Sequence, residues 1–194
     1  MNLPNKLTIL RILMIPLFIF FFFEDRIPYH NTWALLSFAA AALTDLIDGK
    51  IARSRGLITD FGKLMDPLAD KLLTTAAFCC LFANILSMHV VISFILILSR
   101  EFLVTSVRLV AAGKGEVLAA DIWGKIKTVM QMSWICLELL GYALFAELGY
   151  NLLPGSWEAV YRDVMYVLLY AVVAVTVLSG AHYIVKNRHL FNDM

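Results

Sequence analysis

The chain has 194 residues, of which 61% are hydrophobic and only 16% are charged. This composition excludes an ordinary soluble domain and predicts a protein embedded in a membrane. The formal net charge of +1 identifies no partner by itself, and we expect no nucleic-acid ligand.

Apolar runs long enough to cross a bilayer recur along the chain. They predict an all-α, polytopic membrane protein with six transmembrane helices, folded as a single domain over residues 1–194. The predicted spans are roughly 7–23, 31–53, 60–86, 88–112, 120–146 and 160–186. An even number of crossings places both termini on the same side of the membrane.

The segment that leads into the first span carries polar residues. Pro4 and Asn5 are typical of the entry to a helix, and we expect a short interfacial helix there. Thr8 and Arg11 are three residues apart and therefore share a helix face. Two interpretations of Arg11 stay open: its guanidinium reaches the headgroup layer, or it contacts a substrate.

Positive charge is unevenly divided between the two sides that six crossings would create. Only Arg26 and Arg162 belong to one side, and all the other Lys and Arg, among 16 in the chain, belong to the other. The positive-inside rule makes the richer side cytoplasmic. We therefore expect a multi-pass protein of the plasma (inner) membrane, with cytoplasmic termini and a site that faces the cytoplasm.

Four aspartates stand where the second predicted helix ends and the third begins. Asp45 and Asp48 are three residues apart, and Asp66 and Asp70 are four apart, so each pair shares one helix face. Small residues lie on the same faces as the two pairs: Gly49, Ala52 and Gly62. Two helices of this kind can close on a compact, strongly positive ligand.

Carboxylates gathered in this way repel one another. Two like charges about 4 Å apart cost about 4 kcal/mol at an effective dielectric constant of about 20, so the cluster must be partly protonated or neutralised by cations. One alternative is structural ion pairing with the neighbouring basic residues: Lys50, Arg53, Lys63 and Lys71. The other is a pair of divalent ions, since hard oxygen ligands favour Mg²⁺, Mn²⁺ or Ca²⁺. Two such ions suit chemistry at a phosphoryl centre.

The spacing of these residues resembles, without a gap or a substitution, the signature of the CDP-alcohol phosphotransferase family: Asp45-xx-Asp48-Gly49-xx-Ala52-Arg53-(8)-Gly62-xxx-Asp66-xxx-Asp70. Three further segments look like the branch of the family that makes phosphatidylglycerophosphate: NLPNKLTILR (2–11), SREFLVTSVR (99–108) and WGKIKTVMQ (123–131). The last helices match only in hydropathy.

The resemblance implies a transferase of phospholipid biosynthesis, on the route to phosphatidylglycerol. CDP-diacylglycerol and sn-glycerol 3-phosphate would react to give phosphatidylglycerophosphate and CMP. The resemblance also implies a helical fold in membrane lipid, a homodimer, and two bound Mg²⁺ or Mn²⁺ ions.

Roles for individual residues follow from the same resemblance. Asp45, Asp48 and Asp66 would bind the metals, and Asp70 would complete the metal site and deprotonate the glycerol hydroxyl. CDP-diacylglycerol would contact the small residues, one arginine and two N-terminal polar residues: Gly49, Ala52, Arg53, Gly62, Asn5 and Thr8. The planar fork of the arginine suits a pyrophosphate oxygen.

Glycerol 3-phosphate brings a dianion that needs cationic partners. Basic residues at the predicted cytoplasmic ends of helices four and five are candidates for binding it: Arg100, Arg108, Lys125 and Lys127. Each could instead serve only to orient the helices in the membrane. Glu101 could orient Arg100 or Arg108, and Thr128 and Gln131 could complete the pocket.

Two rival interpretations remain. Other members of the family that use inositol phosphate, serine or phosphatidylglycerol would share the aspartates and differ in the basic pocket. From a different class, a divalent-cation or proton-coupled transporter would also place carboxylates inside a helix bundle. A transporter needs a path to the far side, and the outer halves of these helices carry almost no polar residue, which argues against transport.

Overall fold

Six long helices account for most of the chain that the computed structural model describes. They are α1 (Leu3–Phe23), α2 (His30–Arg55), α3 (Asp60–Asn84), α4 (Met88–Gly113), α5 (Ile122–Tyr142) and α6 (Gly155–Lys186). A π-helical segment, Ala143–Leu148, continues α5, and a 3₁₀ turn, Arg188–Phe191, follows α6.

The described residues are 2–55, 60–85, 87–116, 118, 121–148 and 155–191. Within them, the side chains of residues 4, 46–55, 60, 63, 148, 155, 156 and 191 are not described. The described residues contain helices and no strands, so the predicted all-α class is confirmed.

The prediction of six transmembrane helices is wrong. Among the described residues, four helices are long and apolar enough to cross a membrane: Asn5–Phe23, Met88–Gly113, Ile122–Glu147 and Trp157–Lys186. The two helices that fall short are α2 and α3, because their sequences mix apolar residues with the acidic and basic residues of the 45–71 stretch. Charged side chains at the centre of a bilayer are costly. Four spans still make the chain a multi-pass membrane protein.

The prediction of a separate, short interfacial helix is also wrong. Residues Leu3–Phe23 form one continuous helix. A proline in the first turn costs no hydrogen bond, because the first N–H groups of a helix have no partner within it. The polar residues that suggested an interfacial helix lie instead on the buried face of α1.

The chain divides into two compact units, Met1–Asn84 with Ile135–Ala159, and Ile85–Trp134 with Val160–Met194. In the first unit α1 packs along α2 and against α3. The buried face of α1 is polar where the helix begins and apolar where it ends: Asn5, Thr8, Arg11, Ile15, Phe18 and Phe22. The apolar half packs on aromatic residues, with Phe18 against Phe38 and Phe22 against Tyr142.

The start of α2 is held by a carboxylate from the π-helical segment. Glu147 accepts hydrogen bonds from the backbone N–H of Asn31 (2.5 Å) and from the N–H and hydroxyl of Thr32 (3.2 and 2.6 Å). An anionic acceptor at a helix N-terminus satisfies orphan donors and interacts favourably with the helix dipole. This contact fixes the beginning of the helix that carries the first aspartate pair.

In the second unit, α4 and the C-terminal part of the chain share a buried apolar cluster: Val104, Val107, Ala111, Tyr183 and Leu190. Buried hydrogen bonds join α5 to α6. The amide of Gln131 donates to the hydroxyl of Thr176 at 3.2 Å, and the indole N–H of Trp134 donates to the carbonyl of Met165 at 3.0 Å. Both are buried, so each satisfies polar groups that would otherwise be costly to desolvate.

Candidate active site

The polar start of α1 contacts an aspartate from each of the next two helices. The hydroxyl of Thr8 donates a hydrogen bond of 2.5 Å to Oδ1 of Asp66 on α3. Nη1 of Arg11 lies 2.8 Å from Oδ1 of Asp45 on α2. Since Thr8 and Arg11 share one face of α1, this face brings together one carboxylate from α2 and one from α3.

Arg11 is the most unusual residue of this arrangement. Its side chain is 0% exposed, whereas the side chain of Asp45 is 41% exposed. The described guanidinium points to Asp45 rather than to the surface, which favours the second of the two open interpretations. Burying a charge without a counter-charge is expensive, and Asp45 supplies that counter-charge while keeping part of its own surface accessible.

Asp66 and Asp70 are partly buried and lie one turn apart on α3. Gly62, one turn before Asp66, is buried. Thr74 lies one turn after Asp70 on α3. Its hydroxyl donates to the carbonyls of Asp70 and Lys71 at 3.1 and 3.2 Å.

Four of the predicted site residues have side chains outside the described part of the structure: Asp48, Gly49, Ala52 and Arg53. Their positions belong to α2. Among the side chains that are described, no three from His, Cys, Asp and Glu form a group that could hold a metal ion. The predicted four-aspartate metal site is therefore described here only in part.

The described aspartates nevertheless fit a hard divalent cation in their chemistry. Asp45 and Asp66 offer carboxylate oxygens, the ligand type that Mg²⁺ and Mn²⁺ prefer. The guanidinium of Arg11 already places a positive charge against Asp45. The carboxylates of α2 and α3 at this place thus already accept a positive charge from α1.

The four basic residues predicted to bind a phosphate all belong to the second unit, and they occupy three different environments. Arg100 and Lys127 both pair with Glu101: Nη1 of Arg100 lies 3.4 Å from Oε1, and the ammonium of Lys127 on α5 donates to the same oxygen. The side chains of Arg100 and Lys127 are 10% and 6% exposed. The expectation that Glu101 orients Arg100 agrees with this contact.

Arg108 has a different partner. Its Nε donates to the hydroxyl of Tyr183 at 3.2 Å, and its guanidinium carbon lies 5.6 Å from the centre of the tyrosine ring, within cation–π range. Lys125 is exposed on α5. The described contacts thus group Arg100 with Lys127 and do not join Arg108 or Lys125 to that group.

Sequence reasoning missed the contribution of α6. Nε of Arg100 donates to the hydroxyl of Ser179 at 3.2 Å, and that hydroxyl donates to the carbonyl of Thr176 at 2.8 Å. The available signal was a set of polar or small residues, spaced three or four apart, in an otherwise apolar helix: Thr176, Ser179, Gly180 and Tyr183. Hydropathy alone does not distinguish such a face from one that contacts lipid.

Comparison with known proteins agrees with the motif. The family model described as CDP-alcohol phosphatidyltransferase matches residues 1–178. Proteins named CDP-diacylglycerol–glycerol-3-phosphate 3-phosphatidyltransferase are similar to this chain in several bacteria. The one from Bacillus subtilis (strain 168) is 40% identical, covering 96% of this chain and 95% of its own length. Those from Rickettsia typhi and Pseudomonas fluorescens are 36% and 34% identical over 94% and 79% of this chain, and 94% and 81% of their own lengths.

The match of the family model covers the first compact unit and the second as far as residue 178, and the aspartates on α2 and α3 lie within it. Relatives at these identities cover nearly the whole of this chain and of themselves. The chain belongs to the CDP-alcohol phosphatidyltransferase family.

Proposed function

We propose that this enzyme transfers the phosphatidyl group from CDP-diacylglycerol to sn-glycerol 3-phosphate, giving phosphatidylglycerophosphate and CMP. One observation carries the proposal: a relative named for this activity is 40% identical over 96% of the chain. The chemistry of the two sets of charged residues supports it, since carboxylates suit the metal-bound nucleotide and buried cations suit a phosphorylated acceptor.

Asp45, Asp48, Asp66 and Asp70 would hold two Mg²⁺ or Mn²⁺ ions, which when bound supply positive charge to the pyrophosphate and to the leaving CMP. The chain itself contributes the orientation of the carboxylates. Thr8 fixes one oxygen of Asp66, and Arg11 fixes one oxygen of Asp45. Carboxylates held in this way need less reorganisation when their ligand arrives.

Asp70 acts as the general base in this proposal. The glycerol hydroxyl oxygen attacks the phosphorus that bears diacylglycerol, while its proton passes to the carboxylate of Asp70. The bond from that phosphorus to the oxygen of CMP breaks, and CMP leaves with the electron pair. Proton transfer belongs to the transition state, so Asp70→Asn should lower kcat, while the asparagine keeps one oxygen that can bind the metal.

CDP-diacylglycerol binding is assigned to the residues that flank the aspartates. Gly49, Ala52 and Gly62 leave room for the nucleotide, and Arg53 meets a pyrophosphate oxygen. Asn5 and Thr8 come from α1, where both are buried. The observed contact of Thr8 supports a role that acts through Asp66.

The acceptor phosphate is assigned to the basic residues of the second unit: Arg100, Arg108, Lys125 and Lys127. Arg100 and Lys127 share the single carboxylate of Glu101, so this group of three keeps a net positive charge. A buried positive group suits a phosphate dianion and would have no counterpart on a neutral acceptor such as serine.

We also propose how the protein lies in the membrane. The connection after Met88–Gly113 and the chain after Trp157–Lys186 carry Lys and Arg, while the connection after Ile122–Glu147 carries none before Arg162. The positive-inside rule then supports cytoplasmic termini. A single domain over residues 1–194 is supported by one family match that covers residues of both units. A homodimer completes the proposal, and the mass of the detergent-solubilised protein tests it.

The test of the function uses purified protein, CDP-diacylglycerol, Mg²⁺ and a panel of acceptors at equal concentration. The acceptors are sn-glycerol 3-phosphate, inositol phosphate, serine and phosphatidylglycerol, and CMP release is measured. We expect rapid release only with sn-glycerol 3-phosphate, together with phosphatidylglycerophosphate in the lipid fraction. Faster release with another acceptor would contradict the proposed substrate, and no release with any acceptor would contradict the activity.

A further inference from the structure

We propose that α6 positions Arg100 for the acceptor, with Gly180 and Ser179 as positioning residues that set the affinity for the phosphate of sn-glycerol 3-phosphate. The inference rests on the proposed function and assigns residues that lie after the part of the chain matched by the family model, which ends at residue 178.

The first observation is the absence of space for a side chain at Gly180. A Cβ built there would lie 2.8 Å from Cγ of Arg100, and 3.8 and 3.9 Å from its Cβ and Cδ. The arginine stem therefore lies directly against the backbone of α6. Real Cβ atoms do not approach a carbon this closely, so any larger residue at this position must displace the stem of Arg100 or separate the two helices.

The second observation is that two nitrogens of the guanidinium, Nε and Nη1, contact polar side chains. Nε donates to Ser179 at 3.2 Å, and Nη1 lies 3.4 Å from Glu101. Nη2 stands 3.6 Å from the position of a Cβ at Gly124 on α5. The hydroxyl of Ser179 is itself oriented, because it donates to the carbonyl of Thr176. Ser179 is only 2% exposed, so water does not compete for this acceptor.

These contacts give Arg100 a defined position between α6 and Glu101 of its own helix. A guanidinium that is already oriented loses less conformational freedom when it binds an anion. Displacement by about 1 Å at a substrate-positioning residue can cost about 10²-fold in rate or affinity. Gly180 is therefore expected to control how well the acceptor phosphate is bound, although it makes no contact with substrate itself.

A purely structural role for Gly180 makes a different prediction. If glycine were needed only to let α4 and α6 approach, Gly180→Ala would destabilise the protein and raise the KM of both substrates together. If glycine serves the binding of the acceptor, only the KM for sn-glycerol 3-phosphate should rise. A double-mutant cycle with Arg100→Ala then checks that the effect acts through the arginine side chain.

The experiment measures kcat and the KM of each substrate for Gly180→Ala, Arg100→Ala and the double variant, with thermal unfolding of each. Gly180→Ala should raise the KM for sn-glycerol 3-phosphate about tenfold or more, and leave kcat and the KM for CDP-diacylglycerol within about twofold. In the Arg100→Ala background the same substitution should change neither KM by more than about twofold. Gly113→Ala is the matched control, because a Cβ at Gly113 meets nothing within 4 Å.

Ser179→Ala keeps the inference testable if Gly180→Ala does not fold. It removes the Nε contact without adding volume and should raise the KM for sn-glycerol 3-phosphate alone. Equal increases in both KM values, or an unchanged effect of Gly180→Ala in the Arg100→Ala background, would overturn the inference. Turnover by the wild-type protein separates failure of the proposed function from failure of this inference. If the wild type does not turn over sn-glycerol 3-phosphate, the proposed function is rejected. If it does, but the variants keep the wild-type KM values, only the roles of Gly180 and Ser179 are rejected.

Discussion

At the scale of single residues, the pair formed by Arg11 and Asp45 is asymmetric. The arginine is fully buried, and the aspartate keeps 41% of its side chain exposed. Water can solvate the aspartate if its partner is lost, but it cannot reach the guanidinium to the same extent. The two partners should therefore differ in how much their removal costs.

We expect Asp45→Asn to destabilise the protein more than Arg11→Met. Removing the carboxylate leaves the buried cation less well paired, which costs about 1–3 kcal/mol, whereas replacing the arginine stem by an apolar chain keeps much of the packing. Thermal unfolding in detergent measures the difference, and Asp25→Asn serves as a control because the side chain of Asp25 is 89% exposed. An Arg11→Met variant as unstable as Asp45→Asn, or less stable, would contradict this account.

At the scale of secondary-structure elements, the position of α2 depends on contacts at both of its ends. Glu147 binds the first N–H groups of α2, and Arg11 binds Asp45 further along the helix. The first contact lies about four turns from the aspartates, and it should matter for stability more than for chemistry.

Glu147→Ala should therefore lower the melting temperature while leaving the kcat of the folded protein close to normal. Loss of the cap and of its charge removes about 1–3 kcal/mol of stability. Thr32→Val is the graded control, because it removes only the hydroxyl contact with Glu147 and should cost less. A large fall in kcat with unchanged melting temperature would show that Glu147 acts on the reaction instead.

At the scale of the whole molecule, the part that could be predicted from the sequence is the part set by local periodicity. The aspartates were predicted to lie on helices, and the positions of Asp45, Asp66 and Asp70 are helical. Residues three or four apart share one face of a helix. The number of spanning helices was wrong, because α2 and α3 are apolar over only part of their length.

Contacts between residues that are distant in the chain could not be predicted from the sequence. Nothing local in α1 specifies that Arg11 meets Asp45, 34 positions later, rather than a headgroup. Likewise, Ser179 and Gly180 are singled out only by their contacts with Arg100, which lies about 80 positions earlier. Composition and hydropathy do not distinguish between the possible partners of these residues, and the packing of the folded chain determines which ones are in contact.

Phosphatidyl transfer by the aspartates of α2 and α3 is tested most directly with the variant Asp70→Asn. Two quantities are measured: the rate of CMP release and the affinity for CDP-diacylglycerol. Loss of a general base should lower kcat by about 10²–10⁴-fold, with nucleotide affinity little changed and with Asp163→Asn, an exposed aspartate on α6, behaving as wild type. A variant that keeps its kcat, or one that loses CDP-diacylglycerol affinity while turning over normally, would contradict the account.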